Sequence, residues 1–114
     1  MKLDDRDAAV KTALDALLLK LPGVEGGEMT GLAAYFVNDR MFACIWNGAV
    51  GIRVPGTVAT ELQFSRDNIA PFQPKGRSST REWVEVRYAD PAGYAKDLAL
   101  LKQSLEFVKT GKSG

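Results

Sequence analysis

The most regular patterning in the chain lies between residues 29 and 54, where three short apolar runs are separated by Asn38-Asp39 and Asn47-Gly48. Both dipeptides suit two-residue hairpin loops, because their residues tolerate the positive φ that a type I′ turn requires at both positions. The pattern therefore predicts a three-strand antiparallel meander. Strand side chains alternate between faces, so the turns also predict a register. Phe36 should face Met41, Ala34 should face Ala43 and Leu32 should face Ile45; across the second turn Ile45 should face Val50, Ala43 should face Ile52 and Met41 should face Val54. All of these positions are apolar, which makes them the expected core face.

The opposite face is expected to carry Ala33, Tyr35, Val37, Arg40, Phe42, Cys44, Trp46, Ala49, Gly51 and Arg53. In that register Tyr35, Phe42 and Arg53 form a row of large groups beside a row of small ones, Ala33, Cys44 and Gly51. A trough with an aromatic and cationic rim results, with Arg53 placed to stack on Phe42. Tyr35, Phe42, Cys44, Gly51 and Arg53 are thus the candidate residues for a small anionic ligand, the guanidinium pairing with a carboxylate or phosphate. The plainer expectation is that the loop after residue 64, or a second subunit, covers this face.

Apolar residues at helical spacing predict a first helix over residues 4–21, through Val10, Leu14, Leu17, Leu18 and Leu21. Asp4 or Asp5 can cap it, the acidic first turn suits the helix dipole, and Pro22-Gly23 ends it. Residues 24–28 read as a glycine-rich connector. Gly26-Gly27 leads into a strand, not a helix, so it does not fit a phosphate loop. Thr57 can cap a short helix over 58–64. The stretch from Arg66 to Arg81 lacks periodicity, with Ile69 and Phe72 as expected buried anchors. Alternation over 82–88 predicts a further strand, and Asp90-Pro91 starts a last helix whose stripe is Tyr94, Leu98, Leu101, Leu105 and Val108. Residues 110–114 should fray.

The predicted class is α+β: an antiparallel sheet built on the meander plus the 82–88 strand, packed against N-terminal and C-terminal helices. A length of 114 residues suits one domain, 1–114, and 46% hydrophobic residues suffice for one core. A formal net charge of +1 argues against binding nucleic acid through bulk charge. Arg66, Lys75, Arg77, Arg81 and Arg87, with Trp83 for stacking, are the candidates if it occurs. The one cysteine, Cys44, excludes an internal disulfide, and the lack of histidine removes the commonest general base and metal ligand. No metal or cofactor is expected. With an acidic N-terminus and no apolar run long enough to span a bilayer, the expectation is a cytoplasmic chain with no membrane segment.

Certain residues carry a resemblance beyond this order of elements. They are Gly31, the run Arg40-Met41-Phe42-Ala43, Ile52-Arg53-Val54, Pro71-Phe72, and Trp83-Val84-Glu85-Val86. Together, over about residues 10–109, they resemble the TfoX N-terminal domain family, bacterial proteins related to competence regulators and close in fold to the YjbR type. The resemblance implies that fold and a regulatory setting, and brings no catalytic residues. Glu82 and Glu85 should point to opposite strand faces, and Ser78 and Ser79 have no histidine to activate them, so no enzyme is expected. The leading expectation is a non-enzymatic module that binds a protein partner or forms a homodimer.

Overall fold

The computed structural model describes residues 5–29, 31–72 and 82–110. In chain order these form α1 (Asp5–Leu18), β1 (Val24–Met29), β2 (Leu32–Val37), β3 (Arg40–Trp46), β4 (Ala49–Arg53), α2 (Gly56–Ser65), β5 (Ile69–Pro71), β6 (Trp83–Val86), a 3-10 helix (Pro91–Asp97) and α3 (Leu98–Lys109). The strands make one antiparallel sheet in the order β1-β2-β3-β4-β6-β5. The α+β class holds, with helices at both ends of the chain and a third in the middle.

Both hairpin turns form where expected. Asn38 and Asp39 have φ of 50° and 63°, and Asn47 and Gly48 have 52° and 78°, as a type I′ turn demands. The second hairpin also has the expected register, with Ile45 opposite Val50 and Ala43 opposite Ile52. The first hairpin begins as expected, with Phe36 opposite Met41, and then departs: Tyr35 faces Ala43 and Ala34 faces Cys44. Phe42 is an extra residue on β3, a β-bulge.

This one insertion reverses the expected assignment of faces for β2. Ala33, Tyr35 and Val37 join Ala43, Ile45, Val50, Ile52 and Val54 in the core beneath the helices, and Phe42 lies there too. Leu32, Ala34, Phe36 and Met41, expected in that core, gather on the other face with Cys44 and Trp46. The expected pairs Ala34 with Ala43 and Leu32 with Ile45 are therefore corrected, and so is Met41 with Val54, since Met41 lies on the far face and Val54 in the helix-side core. The neighbours Phe42 and Ala43 could not both face one core from a regular strand. The bulge lets both be buried completely there while Met41 still follows the turn. Full burial of a side chain such as that of Phe42 contributes roughly 1.5–3 kcal/mol.

A bulge interrupts the ladder, and its carbonyl groups need other donors. Ser104 on α3, fully buried, sits with Oγ 3.1 Å from the Phe42 carbonyl oxygen and also against that of Arg53. Its hydroxyl proton serves the bulge and the end of β4 from one point.

Several boundaries differ from expectation. The connector at 24–28 is β1, paired along its length with β2. Ile69–Pro71 is a further edge strand, beyond β6. Thr57 lies inside α2, whose N-cap is Pro55, and makes no cap. Asp90 does cap, its side chain accepting from the Ala92 amide at 3.0 Å, but the first turns are 3-10 and α3 proper begins at Leu98. Val10, Leu14 and Leu18 of α1 are buried, and so are Tyr94, Leu101, Leu105 and Val108. Ile69 and Phe72 are buried as expected. The candidate cap Asp4, and residues 111–114 of the stretch 110–114 expected to fray, fall outside the described residues.

Ser104→Ala removes the only hydroxyl serving both carbonyls in a site with no exposure. A loss of about 1–3 kcal/mol is expected, measured by urea unfolding against wild type.

Candidate functional site

The small-residue row exists, with one substitution. Across the sheet, Gly27, Ala34, Cys44, Gly51 and Glu85 lie opposite one another in successive pairings, so Ala34 occupies the place expected of Ala33. The row lies on the face away from the helices. Side chains of Phe36 and Met41 flank it on one side, and those of Leu32 and Trp46 on the other.

The row is not an open trough. Phe72, just past β5, lies over Gly51, where a Cβ would come within 2.8 Å of its ring. Phe72 is 6% exposed and packs against Trp83 with ring centroids 5.7 Å apart. Farther along, the Phe36 ring comes within 3.1 Å of where a Cβ on Gly27 would stand. The glycines of the row are thus seats for aromatic rings. The plainer expectation, that the loop after residue 64 covers this face, is met at Gly51 by Phe72.

The five candidate ligand residues are consequently dispersed. Tyr35 and Phe42 are in the helix-side core, and Tyr35 donates its hydroxyl to Asp15 Oδ1 of α1 at 2.6 Å. Burial first, and then Asp15, push its pKa well above the usual phenol value. Cys44 and Gly51 remain opposite one another on the far face, both buried. Arg53 does not stack on Phe42: its Nη2 and Nε donate to Glu82 Oε1 at 2.7 and 3.1 Å, and its guanidinium carbon lies 5.9 Å from the Phe107 ring centroid. A glutamate and a ring of the same chain thus take the place expected for an external anion.

The basic candidates have a similar outcome. Arg66 meets Asp97 in a fork-to-fork pair, Nη1 to Oδ1 at 2.8 Å and Nη2 to Oδ2 at 3.0 Å, and the Tyr88 hydroxyl donates to Oδ2 at 2.7 Å. Asp97 is 7% exposed, so this network neutralises a buried carboxylate and ties the end of α2 to the start of α3. The hydrogen bonds that Arg66 donates to Asp97 are the main influence raising its pKa. Arg87 donates to the Asn47 carbonyl at 2.9 Å and pairs with Glu85 at 3.3 Å. Lys75, Arg77 and Arg81 lie outside the described residues, as do Ser78 and Ser79. Trp83 is half-buried and already holds Phe72.

The far face keeps an apolar cluster. Leu32, Phe36, Met41, Trp46 and Trp83 are all partly exposed around the buried Ala34, Cys44 and Phe72, and no residue of a described helix belongs to this cluster. Sequence reasoning placed Trp46 on this face but missed Phe36 and Met41, because nothing in the alternation marks the bulge. Among the described residues, no group of three or more His, Cys, Asp and Glu side chains is placed to hold a metal ion. Among them also, no helix is long and apolar enough to cross a membrane. Comparison with family models, curated proteins and solved structures produced no match to this chain.

Two outcomes follow from the covered row. Gly51→Ala places a methyl against the Phe72 ring, so Phe72 must shift; a loss of about 1–3 kcal/mol is expected, with altered Trp fluorescence as Trp83 loses its neighbour. Burial pushes the Cys44 thiol from 9.0 up to about 12, despite an opposing backbone hydrogen bond from Gly51. The folded chain therefore keeps a proton that the unfolded chain loses. The corresponding stability is intact below pH 9 and declines as pH rises from 9 toward 12. Urea titrations over that range, with Cys44→Ala as reference, measure this slope, and the native thiol should resist a water-soluble disulfide reagent at pH 8.

Proposed function

We propose that this chain is a non-catalytic, regulatory protein-interaction module whose contact surface is the sheet face away from the helices. The observation that carries the reading is the ring of partly exposed Leu32, Phe36, Met41, Trp46 and Trp83 on a face to which no described helix contributes. Aromatic and methionine side chains are the residue types enriched at protein interfaces. They stand here on a rigid sheet, so little conformational freedom is lost when a partner covers them.

The resemblance to TfoX N-terminal domains supports a regulatory setting. A reducing, cytoplasmic location suits a chain whose cysteine is a free, buried thiol. The polar groups at the former ligand candidates support a binding role over a catalytic one: Arg53, Glu82, Arg66, Asp97 and Asp15 each hold another part of the same fold. A second copy of the chain is the first occupant to test.

Sedimentation velocity over a range of concentrations should show reversible self-association. Met41→Lys and Trp46→Lys should weaken it about tenfold or more, whereas Thr60→Lys on the exposed side of α2 should leave it unchanged. If association is absent, a photo-crosslinker at position 41 should capture a partner that Trp46→Lys fails to retain. A strict monomer with no such capture overturns the reading.

A further inference from the structure

The two borders of the sheet are built differently. β5 closes one border with three residues and includes Pro71, which has no amide hydrogen to offer a neighbour. β1 forms the other with six residues and no proline, and residues 25–29 are all exposed. Among the described residues, only β2 pairs with it.

Apolar groups stand on both sides of this border. Leu19, 45% exposed, reaches to 3.5 Å from the position of a Gly26 Cβ. Gly26 faces Tyr35, a residue of the helix-side core, so Leu19 flanks the strand on that side. On the far side Phe36 leans over Gly27, and Met29, 41% exposed, stands opposite Leu32. Two of the three exposed large hydrophobic residues in the described chain therefore flank one strand whose centre, Gly26-Gly27, has no side chains to shield its backbone.

We propose that β1 receives an extended basic segment of another protein, which adds to the sheet as a further antiparallel strand. Main-chain hydrogen bonds supply the attachment, and apolar contacts above and below supply fit. The charge requirement comes from Glu25 and Glu28. Glu25 lies opposite Phe36 on the far face, and Glu28 opposite Ala33 on the helix side. A strand with Lys or Arg three positions apart presents one cation to each carboxylate. Pairing with β1 of a second copy would instead gather four carboxylates around two short strands, which opposes self-association at this edge. Glutamates on an edge also deter indiscriminate pairing. Here they do so selectively, since the strand keeps its full length and admits cations.

The test uses the whole chain and a short fluorescent Thr/Val peptide with two lysines three positions apart. Fluorescence anisotropy should report binding that weakens with salt, and hydrogen exchange should show new protection confined to β1. The exposed pair Glu25→Lys with Glu28→Lys should lower affinity about tenfold or more and transfer preference to the same peptide carrying two glutamates. Circular dichroism checks that this variant is folded. Trp46→Lys should leave peptide binding intact, which separates this edge from the sheet face proposed above. Affinity unchanged by the charge reversal, equal binding of the glutamate peptide, or protection elsewhere overturns the proposal. Dimerisation through β1 without peptide does so as well.

Discussion

The structure depends on two adjacent residues of β3, Phe42 and Ala43, entering the same core. A regular strand must send neighbours to opposite faces, and the Asn38-Asp39 turn, by pairing Met41 with Phe36, already sets Phe42 on the helix side. The extra residue at the bulge lets Ala43 follow it there and shifts the pairing beyond it, so that Tyr35 meets Ala43. From that shift comes the identity of the core, the partner of Tyr35 on α1, and the composition of the face left outside. Ser104 supports the arrangement, its fully buried hydroxyl standing as donor to the Phe42 carbonyl at the bulge and to the Arg53 carbonyl at the end of β4.

The far face shows how small residues in a sheet can serve large ones outside it. Ala34, Cys44 and Gly51 form a floor, and Phe72 rests on the glycine with Trp83 beside it. This seals the middle of the face and turns a possible ligand trough into a second, smaller core. Its surrounding ring of large side chains remains partly exposed.

Several charged groups among the described residues bind the fold to itself. Asp97 is buried with two guanidinium nitrogens and a tyrosine hydroxyl around it, an arrangement that offsets the cost of desolvating a carboxylate. It connects the start of α3 to the segment after β6, 9 residues away, and to the end of α2, 31 residues away. At the N-terminal helix, Asp7 Oδ1 accepts the Gly48 amide at 2.6 Å and Arg6 donates to Asn47 Oδ1 at 2.9 Å, so α1 is held to the β3–β4 turn. Arg53, Arg66 and Arg87, available when counted along the chain, are committed once it is folded.

Local chemistry was enough to determine the turns, the two leucine-rich helices, the Asp90 cap and the α+β class, because each depends on residues within one or two turns of chain. It was insufficient for β1, whose Glu-Gly-Gly-Glu sequence has poor strand propensity and is held extended by β2. It was also insufficient for the bulge. Both registers leave apolar side chains on both faces, and the choice rests on packing Phe42 and on a serine 62 residues away. The candidate site followed from the wrong register and so mixed residues from opposite faces; Cys44 and Gly51 kept their place because the second hairpin has no bulge. Tertiary structure alone decided what covers Gly51 and what Arg53 and Arg66 hold, since those contacts join segments that no sequence period relates.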